Sequence, residues 1–186
     1  MTTTRSFLFL LAGARRDGNS ERLARRAAAA LPADVQQTWL RLDEAALPPF
    51  ADTRHEPSGG VYPPPEGDAR RLLDATLAAS DLVFVAPVYW YSLPAPAKLY
   101  LDHWSGWMRV PTLNFRARMA SRGLWAITAV SDEDRSVAEP LLQTLRLTAD
   151  YMDMVWRGAA IGYGNRPGDV LNDATGVAQA DALFVR

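Results

Sequence analysis

The 186-residue chain has no cysteine and only two histidines, His55 and His103, which lie far apart. Without cysteine there is no disulfide, iron–sulfur cluster or thiol nucleophile, and a zinc site would have to rest on two separated histidines and scattered carboxylates. No metal site is expected. Neither sign of charge is in surplus: Lys+Arg 20 against Asp+Glu 21 gives a formal net charge of -1, with no basic footprint for nucleic acid or an anionic membrane. No apolar run approaches the roughly 20 residues of a membrane span. The short run in MTTTRSFLFLLAG lacks a convincing cleavage site and reads as a buried strand rather than a signal. A cytoplasmic location is expected.

What is present is a composition 48% hydrophobic, enough for one core, and a single domain over 1–186 is the expectation. Short apolar runs alternate with helical patterns, the mark of βαβ units and a mostly parallel sheet. Strands are predicted over 7–12, 36–42, 81–86, 124–130 and 155–162. Helices are predicted over 20–31, 68–79, 136–152 and 173–183, with a further loop and helix after residue 86. In the first helix Leu23, Ala27 and Leu31 share a face and Pro32 ends it. Ser136 and Glu139 have capping-box spacing, which puts Pro140 in the first helical turn, where its missing N–H does little harm. Five strands separated by helices suit a doubly wound α/β sheet of order 2-1-3-4-5, whose ligands sit beyond the carboxyl ends of strands one and three.

Both loops at that point are unusual. After the first strand comes Gly13-x-x-x-x-Gly18-Asn19-Ser20, which matches a triphosphate-binding loop at both glycines and the hydroxyl but has Asn19 where that loop needs lysine. The missing lysine argues against a triphosphate. Glycines that let N–H groups turn inward, followed by a helix N-terminus, still favour a phosphate, with Arg15, Asn19 and Ser20 as added donors. An ordinary strand-to-helix turn capped by Asn19 or Ser20 is the alternative. After the third strand comes Pro87-Val88-Tyr89-Trp90-Tyr91-Ser92-Leu93-Pro94-Ala95-Pro96, a proline-stiffened loop whose amides and three rings suit a flat polar heterocycle, unless the rings serve packing alone.

On these residues the chain resembles the flavodoxin-like NAD(P)H-dependent FMN reductases and quinone reductases. Their first loop reads S-x-R-x-x-G-N-[ST], matched here by Arg15, Gly18, Asn19 and Ser20, with Gly13 in place of the serine. Their second motif, P-x-Y-x-x-x-x-P-x-x-x-K, is met by Pro87, Tyr89, Pro94 and Lys98. The similarity runs on through GAAIGYGNRPGD at 158–169. The resemblance implies bound FMN, with phosphate held by Gly13, Arg15, Gly18, Asn19 and Ser20. It also implies that Pro87, Val88, Tyr89 and Trp90 hold the ring, the amides of Val88 to Trp90 bonding its edge. It further implies NADPH or NADH as reductant, a small-molecule electron acceptor, and a homodimer or homotetramer.

No general acid or base is expected, because the flavin carries the chemistry. In the 131–134 loop Ser131 is a candidate ring contact, while Asp132, Glu133 and Asp134 read as the acidic face before a helix. If they faced the crevice they would disfavour reduced anionic flavin and a 2′-phosphate on NADPH. The segment 43–67, with Pro48, Pro49, Pro57, Gly59, Gly60 and Pro63 to Pro65, is too long for a connector and reads as a lid or partner-contacting loop. The resemblance implies that it helps wall the flavin, often across a dimer interface, which would bring His55 or Tyr62 to substrate, the alternative for both being a surface position. Tyr100, Trp104 and Trp107 are expected in the core or a dimer face. Two rival functions stay open at this point: a flavodoxin-type electron carrier, disfavoured by the near-neutral charge, and a flavin-free phosphate-ligand or interaction module.

Overall fold

The computed structural model describes residues 5–57 and 60–185; Gly59 and the first four residues of the N-terminal stretch lie outside the described residues. Five strands, β1 (Ser6–Leu11), β2 (Gln36–Arg41), β3 (Asp81–Pro87), β4 (Gly123–Val130) and β5 (Val155–Tyr163), form one parallel sheet of order β2-β1-β3-β4-β5. This is the doubly wound order expected from the sequence. Among the described residues the helices are α1 (Asn19–Ala28), α2 (Gly67–Ala78), α3 (Ala95–Trp107), α4 (Phe115–Met119), α5 (Glu139–Tyr151) and α6 (Ala174–Leu183). None is long and apolar enough to cross a membrane.

The sheet carries a separate core on each face because successive strand residues point opposite ways. Leu8 and Leu10 of β1 join Leu82, Phe84 and Leu124 beneath α2, α3 and α5, where Tyr100, Trp104, Trp107 and Phe115 pack edge to face. Those aromatics are buried in the chain's own core. On the other side Phe7, Phe9 and Leu11 meet Val83, Val85 and Trp125 beneath α1 and α6. Helix α6 lies directly on β5: a Cβ on Gly176 would sit 2.7 Å from the Cα of Gly162, closer than any side chain tolerates.

Two boundaries differ from expectation by more than one residue. Helix α1 stops at Ala28 rather than Leu31, since Ala30 and Leu31 donate to carbonyls three residues back and the chain tightens before Pro32. The predicted 136–152 helix is split into a 3-10 turn at Arg135–Ala138 and then α5. Pro140 has no N–H for the Ser136 carbonyl, which accepts instead from Glu139. The capping box does not form. Asp134 accepts the Ser136 N–H, and the Glu139 carboxylate pairs with Arg146.

Candidate functional site

Strands β1 and β3 end side by side, and the loops after β1, β3, β4 and β5 converge on a cleft of about 230 Å³ at that edge. Gly13, Arg15, Gly18, Asn19, Ser20, Pro87, Val88, Tyr89 and Ser131 all line it. Trp90 does not; it borders an adjoining trough, also about 230 Å³, that shares Val88, Val130 and Ser131 with the first. Together the two make one elongated groove, of the size range in which small molecules bind. Gly164 and Asn165 also line the cleft, and sequence reasoning did not single them out. The turn-rich GNRPG directly after the fifth strand was the available signal.

The loop after β1 presents donors and little else. The backbone N–H groups of Ala14, Arg15, Arg16, Gly18, Asn19 and Ser20 have no hydrogen-bond partner among the described residues. Ser20, only 5% exposed, likewise leaves its hydroxyl unbonded there, and Arg15 is exposed beside it without a carboxylate partner. Of these residues Arg15, Gly18, Asn19 and Ser20 line the cleft, and their free amides with the Ser20 hydroxyl at the start of a helix form a cradle for an anion. Asn19 departs from expectation. Its amide donates to the carbonyls of Gly164 and Arg166 at 2.8 and 3.0 Å, and its oxygen accepts the Gly168 N–H at 2.8 Å. With both protons spent, the Asn19 side chain ties the first loop to the last and offers an anion only its backbone. The helix is not capped by Asn19 or Ser20; Gly18 holds the cap position without a side-chain bond.

The loop after β3 is a tight hairpin. Tyr89 and Ser92 exchange backbone hydrogen bonds at 3.1 and 3.0 Å, with Trp90 at φ 49° and Tyr91 at φ 61° between them. Two consecutive positive φ values mark a two-residue turn that ordinarily takes Asn-Gly, so two aromatic residues there store strain. Trp90 is 93% exposed. The hairpin also narrows the expected ring-edge donors: Tyr89 spends its N–H inside the turn, Val88 directs its own at the Ala129 carbonyl over a long 3.4 Å, and Trp90 N–H is the unspent one. Lys98 sits on α3, paired with Asp102, outside the cleft.

In the loop after β4, Asp132 and Asp134 accept the N–H groups of Asp134 and Ser136, in keeping with an acidic helix-start face, but Asp132 also borders the trough beside Trp90 and so places one carboxylate at the groove. Arg135 reaches from this loop to Asp173, which also accepts the N–H groups of Tyr163 and Gly176. Among the described residues, none of the 43–67 segment lines the cleft. It packs along α3, with Tyr62 hydroxyl bonded to Thr53 N–H and the Ala51 carbonyl, and it walls a separate apolar cleft with Gly106 and Trp107. His55 and Tyr62 line no part of the site, so neither is placed to touch a substrate there.

Glu21, Asp81 and Asp173 ionise below their ordinary ranges. Burial acts to raise each and is outweighed by donated hydrogen bonds: from Arg25, Arg41 and Asp17 N–H at Glu21, from Arg5, Trp125 and Ser80 at Asp81, and from Arg135 with two backbone amides at Asp173. A depressed folded-state pKa means the unfolded chain binds more protons at low pH. The stabilisation is therefore complete above the ordinary values of 3.8 and 4.5 and is lost as pH falls through the depressed ones. Unfolding temperature should stay level on acidification until about pH 4 and then drop steeply. A melting curve insensitive to pH down to about 3 would contradict these pairings.

The sequence matches the family described as flavodoxin-like fold over residues 5–182. A Bacillus subtilis (strain 168) protein provisionally named an NAD(P)H-dependent FMN-containing oxidoreductase is 29% identical over 175 residues, 94% of this chain and 93% of that one. Among solved structures, Trp repressor binding protein from Bacillus subtilis aligns with a TM-score of 0.75 at 25% identity over 97% of both chains. An FMN-dependent NADH-azoreductase from Bacillus anthracis, solved in complex with FMN, aligns at 0.67 and 12% identity over 95% of this chain and 96% of that one, a likeness of fold alone. A match that spans nearly the whole sequence, on a sheet of order β2-β1-β3-β4-β5, makes this chain a member of the flavodoxin-like fold family.

Proposed function

We propose that the protein is an FMN-dependent oxidoreductase acting from NAD(P)H on a quinone, flavin or similar small acceptor. The observation that carries this reading is the anion cradle: the backbone N–H groups of Arg15, Gly18, Asn19 and Ser20, unspent among the described residues, with the Ser20 hydroxyl and the Arg15 side chain, at one end of a groove whose other end is bordered by Tyr89 and Trp90. That donor set fits a single terminal phosphate, and the lack of a lysine in the loop fits a monophosphate rather than a triphosphate. Relatives named as FMN-containing and FMN-dependent oxidoreductases support the same choice. The chemistry supplied by bound FMN is two-electron transfer between the nicotinamide and the acceptor.

The chain's own residues bind and orient. Gly13, Gly18, Ser20 and Arg15 hold phosphate, with Asn19 fixing the loop that carries them. Pro87, Val88, Tyr89, Trp90 and Ser131 would flank the ring, and Trp90 N–H, unspent among the described residues, would be a donor toward it. Reduced nicotinamide then has access from the open side of the groove. A homodimer or homotetramer would use the apolar groove between α3 and α5, where Leu147 and Tyr151 are exposed beside Leu101 and Met152. A cytoplasmic location belongs to the same reading.

The test is the visible spectrum after incubation with FMN, followed by anaerobic NADH or NADPH. Bleaching of the bound flavin is expected. Flavin that binds but keeps its colour would replace the enzyme by an electron carrier, and protein that takes up no FMN would end the flavin reading. Arg15→Ala should weaken FMN by about tenfold, near 1.5 kcal/mol, the low end for a charge-assisted hydrogen bond because Arg15 is exposed. Equal affinity of wild type and variant in a fluorescence titration would remove Arg15 from the site.

A further inference from the structure

The cradle loop is held from behind by a residue that never enters the cleft. Arg41 ends β2 and its side chain is 9% exposed. Its Nη2 donates to the Gly13 carbonyl at 2.7 Å and its Nη1 to Glu21 Oε2 at 2.9 Å. The same Glu21 oxygen accepts the Asp17 N–H at 3.2 Å. Arg41 therefore grips one end of the loop directly and the other through Glu21.

The direction of the first bond matters. In the sheet β2 lies on one side of β1 and β3 on the other, and the cleft opens between β1 and β3. A Gly13 carbonyl turned toward Arg41 points to the β2 side, so across a planar trans peptide the Ala14 N–H points the opposite way, away from β2. Glycine at position 13 leaves that peptide free to rotate, and the hydrogen bond from Arg41 is what sets it. The charge of Arg41 has a second effect. Glu21 is a carboxylate in the first turn of α1, close to where the phosphate would sit; Arg41, whose Nε also lies 3.3 Å from Asp43 and 3.5 Å from Glu44, shares its neutralisation with the more exposed Arg25.

We propose that Arg41 is the positioning residue of the anion cradle: without touching the ligand itself, it orients the Gly13–Ala14 peptide and screens Glu21 so that the loop selects a terminal phosphate. The inference rests on the flavin reading above, and its test separates the two. Arg41→Met is titrated with FMN and with riboflavin, which has the same ring and no phosphate. FMN dissociation should rise at least about tenfold while riboflavin binding stays level, so the preference for FMN collapses. Arg41→Met with Glu21→Gln should regain part of the FMN affinity, because the glutamine keeps an acceptor for Asp17 N–H and removes a charge that the more exposed Arg25 then faces without Arg41.

A variant that keeps the wild-type preference for FMN over riboflavin overturns the proposal. So does one that loses both flavins equally, the mark of a merely structural role. If Arg41→Met does not fold, Arg41→Lys is read by the same ratio and should show a smaller loss of preference, since lysine lacks the two-pronged geometry; an undiminished preference overturns the proposal there too. A wild-type protein that binds neither flavin ends the flavin reading alone. The proposal is then decided by inorganic phosphate, which should protect the wild type against thermal unfolding more than the variant; equal protection overturns it.

Discussion

Replacing Asp81 by alanine is expected to lower the unfolding free energy by about 3 kcal/mol, the range for removing one member of a buried, multiply bonded charge pair. Asp81 opens β3 in the middle of the sheet and is 4% exposed. It accepts from Arg5 at 2.9 and 3.2 Å, from Trp125 Nε1 at 2.8 Å and from Ser80 at 2.8 Å. The loss would strand the Trp125 N–H inside the cluster it forms with Phe7 and Phe184. Gly123 belongs to the same arrangement, because a Cβ there would overlap the Asp81 carboxylate. Asp81→Asn separates the contributions: it keeps an acceptor for Trp125 and loses the charge, and since Arg5 is 42% exposed the charge itself should be worth only about 1 kcal/mol. Urea denaturation of both variants checks this, and equal losses in the two would mean the ion pair, not the indole bond, dominates.

Changing Trp90 and Tyr91 together to Asn-Gly should do the opposite and stabilise the fold by about 2 kcal/mol, since non-glycine residues held at positive φ each store on the order of 1 kcal/mol or more. Both side chains are exposed, so little packing is lost. The gain would come with a functional loss. An indole 93% exposed on a strained turn at the rim of a ligand groove has no folding role to retain it. Without its stacking surface flavin retention should fall by up to about tenfold. A double variant with a higher urea midpoint and weaker FMN binding is the expected pair of results; unchanged stability would show that the turn holds no strain.

The strand runs FLFLL and DLVFVA and the alternation of elements were legible because a parallel strand covered on both faces must be apolar throughout. Gly13, Gly18 and Ser20 were legible for a related reason: a chain that turns from strand to helix around an anion needs small residues and donors at fixed spacing. Asn19 shows where such reading stops. Its residue type suits a phosphate donor, and only the arrival of Gly164, Arg166 and Gly168 from more than 140 positions away assigns its protons elsewhere. The 43–67 segment is a second instance: its length implied a lid, yet its prolines and Tyr62 find their apolar partners along α3.

The sequence by itself determined the doubly wound sheet, the loops that meet at its switch point and nine of the residues lining the cleft, because periodicity, turn chemistry and short-range spacing are local properties of a chain. Only the tertiary structure decided which donors remain free, that Tyr89 spends its amide within its own turn, and that Arg41 and Glu21 brace the loop from β2 and α1. Hydrogen bonding is exclusive, and its outcome depends on partners that only folding brings within reach.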